Sequence, residues 1–278
     1  MHKALRRALM SLAAVPAATV TTALLAIPAS ATTHGPNMYS PVEAGYTATG
    51  TNFRYGRDDF TLPDPTAFAP YIKRVEFVSE LWSSTRLTVL GVYASTSSTT
   101  YHAEAVVYNT QTRARICATW STTRPCPNTP AAWNTDTFPA GHALELTNLF
   151  ARSTGTVHFT LSDKTASSTL SYAWTKAGTA YMTQVRLGAE FGCSPWTACG
   201  GGTNPYYKHP ATPVTVVNMS DCVIETSTGH LSGFYGPFTW HKLKMTLNGV
   251  KSPVDEATID NLGTGTSYSG GQFHVLLK

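Results

Sequence analysis

Charged side chains are scarce in this chain: Asp, Glu, Lys and Arg make up 13% of its 278 residues. No stretch shows sustained helical periodicity, which argues against a helical domain. Beyond residue 31 no run is apolar for long enough to cross a bilayer as a helix. There is no GxSxG elbow of the serine-hydrolase kind. No HxxxH or CxxC spacing accompanies the cysteines, so a zinc site is not expected, and no metal or other cofactor is assigned. Gly200-Gly201-Gly202 follows a cysteine and precedes Thr-Asn-Pro instead of opening a helix, which argues against a phosphate cradle. Glutamine is rare as well: after the first 31 residues only Gln111, Gln184 and Gln272 occur. No internal repeat and no shift in composition divides the chain.

What the chain does have begins with Lys3, Arg6 and Arg7, an apolar stretch from Ala8 to about Ile27, and the small-x-small pattern Ala29-Ser30-Ala31. Residues 1–31 read as a cleavable signal peptide, so the mature protein is expected to be secreted and extracellular, with no membrane attachment after cleavage. Losing the leader takes the net charge from +4 to +1, which leaves a nucleic-acid surface without support. The remainder is long enough for one large domain. All the cysteines lie in it. In an oxidising compartment the local pairs Cys117–Cys126 and Cys193–Cys199 are the economical disulfides, and Cys222 is left over.

Period-two alternation is the dominant pattern. Val157, Phe159 and Leu161 alternate with His158 and Thr160, Leu170, Tyr172 and Trp174 with Ser171 and Ala173, Leu243, Met245 and Leu247 with Lys242, Lys244 and Thr246, and Phe273, Val275 and Leu277 with His274 and Leu276. Each set reads as a strand with one buried face. Further strands are expected near 74–82, 86–94, 101–108, 113–120, 142–150, 181–191 and 214–226. About a dozen strands with turns between them predict an all-β, antiparallel double-sheet sandwich over residues 44–278, preceded by a loose lead-in over 32–43. Residues 121–137 and 192–213 read as loops.

The order of several short motifs resembles the glutamic peptidase (eqolisin) family. Ala44-Gly45-Tyr46 with Thr47 to Gly50, then Asp59-Phe60-Thr61-Leu62-Pro63, is similar to the opening of the mature peptidases. Phe138-Pro139-Ala140-Gly141-His142 resembles a turn of that family, and Thr160-Leu161-Ser162-Asp163-Lys164-Thr165 a hairpin. Val216 to Thr226 and Leu243 to Asn248 resemble strands near its end. The resemblance implies a concanavalin-like double sandwich and cleavage of proteins at acidic pH. It also implies a Glu acting as general base and then acid, beside a Gln that orients the water and supports the oxyanion.

The residues that would carry this chemistry are not in place. Against the family pattern, Leu87-Thr88-Val89-Leu90-Gly91 puts Val89 at the Gln position, and the segment Tyr101 to Asn109 puts Val106 at the Glu position. The implied protein is therefore a non-catalytic binding protein for a peptide or glycan ligand. One alternative is an active acid endopeptidase with a displaced pair. Glu104 falls on the same strand face as Val106, and Gln184 is the available amide. A glycosidase-like carboxylate pair drawn from Glu76, Glu80 and Glu104 is a further option. The other alternative is a carbohydrate-binding module with Trp196, Tyr206 and Tyr207 as an aromatic platform. Trp82 and Trp174 are expected to pack in the core. Nothing in the sequence sets an oligomeric state.

Overall fold

A computed structural model describes residues 33–192, 207–226, 231–232, 238–246, 257–263 and 271–278. The leader 1–31, Cys193, Trp196, Cys199 and Tyr206 lie outside the described residues. The first strands are β1 (Thr33–His34), β2 (Met38–Ser40), β3 (Glu43–Thr61), β4 (Arg74–Ser83), β5 (Arg86–Ser95), β6 (Thr100–Asn109) and β7 (Arg115–Ala118). A short helix, Ala132–Thr135, precedes β8 (Thr137–Pro139), β9 (Ala143–Ala151), β10 (Thr156–Asp163), β11 (Ser168–Trp174) and β12 (Met182–Phe191). Then come β13 (Val214–Thr226), β14 (Leu231–Ser232), β15 (Thr239–Met245), β16 (Ala257–Gly263) and β17 (Gly271–Leu277).

The pairings resolve into two antiparallel sheets that share one strand. Sheet I runs β15, the first half of β3, β12, β4, β5, β6, β7. Sheet II runs β11, β10, β9, the second half of β3, β13, β17, β16. The strand β3 changes sheets near Asn52, whose φ of 65° lies in the left-handed region that Asn tolerates better than most residues. The lead-in is not loose: β1 and β2 each pair in parallel with β15, where their backbone groups find partners.

Alternation decides what lies between the sheets. Val75, Phe77 and Leu81 of β4 and Val185, Leu187 and Phe191 of β12 point inward to one contiguous core with Phe159, Leu161 and Phe273 of sheet II. Aromatic edges tie the layers together: Tyr46 of β3 meets Trp240 at 6.1 Å and Phe273 at 5.2 Å. Such pairs add about 0.5–1.5 kcal/mol beyond the area they bury. Trp174 joins this core as expected. Trp82 does not: it sits on the other face of sheet I, against a second apolar cluster of Val78, Leu87, Val89, Val106, Tyr108 and Ala118. Among the described residues no helix is long and apolar enough to cross a membrane.

The expected Cys117–Cys126 disulfide is formed, and both half-cystines are buried. Cys222 is a free, buried thiol. The disulfide closes a loop that carries Trp120 back over β6, with Thr119 donating its backbone N–H to Ala105 at 3.0 Å. Replacing both cysteines with serine is expected to cost about 2.5 kcal/mol, from the chain entropy of a loop of this length, in urea unfolding under oxidising conditions. An unchanged midpoint would show that the staple contributes nothing.

Candidate active or binding face

The outer face of sheet I holds an unusual set of side chains. On β4 the outward series is Arg74, Glu76, Val78, Glu80, Trp82, and on β12 it is Gln184, Arg186, Gly188, Glu190. Register places Glu190 beside both Glu43 and Glu76, and Arg186 beside Glu80. On β5 and β6, Gly91 lies opposite Glu104, and Val89 opposite Val106. Glu43, Glu76, Glu80, Glu104 and Glu190 are all buried, which charged residues rarely are without partners.

Two clusters result. In the first, Arg74 Nη2 donates to Glu76 Oε2 at 2.9 Å and to Glu104 Oε2 at 3.2 Å. Trp120 Nε1 donates to the same Glu104 oxygen at 2.9 Å. Glu76 also meets the Glu104 carboxyl directly; burial first, and then this neighbour, push its pKa well up despite Arg74. Gly91 makes the meeting possible, because a Cβ there would come within 3.1 Å of Glu76 Oε1. The Arg74 guanidinium also lies 4.2 Å from the centroid of Tyr93. Burial opposes its charge, but Glu76 and Glu104 outweigh that and raise its pKa further.

The second cluster gathers Glu43, Glu80 and Glu190. Arg186 Nη1 donates to Glu43 Oε2 at 2.6 Å, and its guanidinium stacks 4.4 Å from the centroid of Trp82. Trp82 Nε1 donates to Glu80 Oε2 at 2.6 Å. Burial and the neighbouring Glu43 push the Glu80 carboxyl up to about 8, against the pull of Arg186. Glu190 is raised too, by burial and then by Glu76. Between the clusters Val78, Val89, Val106 and Ala118 form an apolar floor.

The displaced pair proposed from the sequence does not assemble. Glu104 stands on β6 and Gln184 on β12, with β4 and β5 between them. Three strand spacings amount to about 14 Å, too far to share one water. With its amide oriented by its neighbours, the Gln184 oxygen instead accepts from Arg186 Nη2 at 3.0 Å. Of the glycosidase-like candidates, Glu76 and Glu104 both accept from Arg74 Nη2, while Glu80 belongs to the other cluster and accepts from Trp82 Nε1. Of the aromatic platform, Trp196 and Tyr206 fall outside the described residues. Tyr207 packs on the core, and its hydroxyl bonds to the Lys278 carbonyl. The exposed aromatic near the carboxyls is Trp120, 40% accessible. It borders a cavity of about 630 Å³ lined also by Tyr93, His102, Asn128 and Trp133. Sequence reasoning missed Glu43, Glu190, Arg74 and Arg186, although the alternating polar face of β12 carries a readable signal for two of them.

No protein-family model matches the chain, and no curated protein is significantly similar to it. Solved structures are similar. Scytalido-glutamic peptidase with a transition state analog inhibitor superposes with a TM-score of 0.56 at 13% identity, over 86% of this chain and 100% of that one. SCP-B, a member of the eqolisin family in complex with the tripeptide Ala-Ile-His, gives 0.49 at 11% identity, over 85% of this chain and 100% of the other. At such identities the likeness is one of architecture: this chain has an eqolisin-like double β-sandwich.

Proposed function

We propose that this chain is an exported, non-peptidolytic binding protein that takes a peptide or glycan ligand on the outer face of sheet I. The observation that supports this most is the directly paired Val89 and Val106, at the positions where the family resemblance calls for Gln and Glu. Two valines neither activate a water nor donate to an oxyanion. Tyr93, His102 and Trp120 around the neighbouring cavity supply the aromatic wall on which a ligand would rest. The basic, apolar leader and the Cys117–Cys126 bridge support export to an oxidising compartment.

A purified, folded sample is expected to leave denatured casein intact from about pH 3 to about pH 8, with no product detectable by electrophoresis. Cleavage at acidic pH that disappears in Glu104→Gln would overturn this reading. It would favour the second one, an acid hydrolase built on Glu76 and Glu104. Their shared partner Arg74 is the observation behind that alternative, because it holds two buried carboxyls side by side, an arrangement in which one can serve as acid and the other as base.

A further inference from the structure

We propose that Glu43, Glu80 and Glu190 form a binding site for a hard divalent cation, with Ca²⁺ the best match. Each of the three offers a carboxylate oxygen, and these oxygens lie within 4.8 Å of one another. That is the largest separation two ligands can have on one ion held at about 2.4 Å, a normal Ca²⁺–oxygen distance. The residues come from three adjacent strands, β3, β12 and β4. Their backbones are held in register, so the oxygens converge without a flexible loop having to order.

The second observation is what these oxygens lack. Among the described residues neither Glu190 oxygen has a hydrogen-bond partner, nor does Glu80 Oε1, and the side chains are 2% and 0% accessible. A buried carboxylate without a donor is costly. Every other charged group on this face is engaged. Arg186 binds Glu43, Trp82 binds the second Glu80 oxygen, and Arg74 is taken by Glu76 and Glu104. When all three are ionised they exceed the one guanidinium by two negative charges, which a divalent cation would cancel. The donor set is oxygen only, which selects Ca²⁺, Mg²⁺ or Mn²⁺ over zinc or copper. The expectation of no metal rested on His and Cys spacing, and that test cannot see carboxylates gathered from separate strands.

The test uses the full mature chain. Thermal unfolding is followed in EDTA and in CaCl₂, with MgCl₂ and MnCl₂ arms, for wild type and for Glu190→Gln. Ca²⁺ at a hundredfold excess over its dissociation constant is expected to raise the wild-type melting temperature by about 5–10 °C. Glu190→Gln should lose that response and should melt higher than wild type in EDTA, because one unpaired carboxylate is gone. Tb³⁺ provides a second readout. Trp82 is bonded to Glu80, so indole excitation should sensitise Tb³⁺ emission, and Ca²⁺ should quench it by displacement. If Glu190→Gln does not fold, Glu80→Gln replaces it in both measurements. A wild-type melting temperature indifferent to all three cations, or Tb³⁺ emission unchanged in the variant, overturns the site.

Discussion

Replacing Gly188 with alanine is expected to lower stability by about 3 kcal/mol, roughly 6–12 °C in melting temperature, read by circular dichroism in EDTA. Gly188 on β12 stands directly opposite Gly45 on β3. A Cβ on Gly188 would lie 2.4 Å from the Ala44 carbonyl oxygen and 2.8 Å from the Gly45 Cα. On Gly45 it would lie 2.2 Å from the Leu187 oxygen. All of these are backbone atoms, so no side chain can rotate away and the strands themselves must separate. The pair lies between the Glu43–Glu190 row and the Thr47–Arg186 row. Separation would therefore also pull Glu43 away from Glu190 and from Arg186. Gly50→Ala is the control, because the nearest atoms to its added Cβ would be ring carbons of Phe53 and Phe238 at 3.3–3.7 Å. Equal losses in the two variants would show that the close strand contact at Gly188 does not set the cost, since the chain entropy of glycine favours alanine at both positions.

Gly45 also shows what could be read in the sequence. It belongs to the Ala44-Gly45-Tyr46 motif that carried part of the family resemblance, and the structure supplies the physical reason for a glycine there. Strands with one apolar face were legible residue by residue: β4, β5, β6, β9, β10 and β12 fall within a residue or two of expectation. The long strand β3 was legible only through its motifs. Its alternation breaks where it crosses between sheets, because near Asn52 the set of side chains facing the core changes neighbours. The local disulfide was legible because a short loop fixes its own partner.

The site was legible only in pieces. Glu76, Glu80 and Glu104 stood out as carboxylates on strands, and alternation put Glu104 on the face of Val106, where it lies. Which carboxylates meet depends on sheet order, and that is a long-range property. Gln184 and Glu104 share a face, yet β4 and β5 keep them apart. Glu43 and Glu190 come from distant parts of the chain and were invisible until β3 and β12 were paired.

Stability is expected to fall as pH rises from mildly acid to alkaline, and Asp58→Asn is expected to remove part of that fall. Asp58 is fully buried on β3, and neither of its carboxylate oxygens reaches a donor from another of the described residues. Burial first, then the adjacent Asp59, push its pKa well above the ordinary carboxylate value. The folded protein therefore keeps this proton over a pH range in which the unfolded chain has lost it. Between the unfolded and folded pKa values the folded state binds one proton more, so raising the pH destabilises it. The contribution is complete below the unfolded value and lost as pH climbs through the folded one. Across that window each such carboxyl adds a slope of about 1.4 kcal/mol per pH unit. Glu76 is shifted in the same direction and adds to the slope. Asparagine keeps the shape of the neutral acid and has no proton to lose. The variant should therefore show a shallower slope and, at about pH 8, a higher melting temperature than wild type. The comparison belongs in EDTA, so that no cation at Glu43, Glu80 and Glu190 competes with protons. The nearby Cys222 thiol is raised by burial and then by Asp58, so it stays protonated in the wild-type protein at that pH. An Asp58→Asn protein with the wild-type slope, or one less stable at about pH 8, would mean that Asp58 is ionised in the fold and held by a donor.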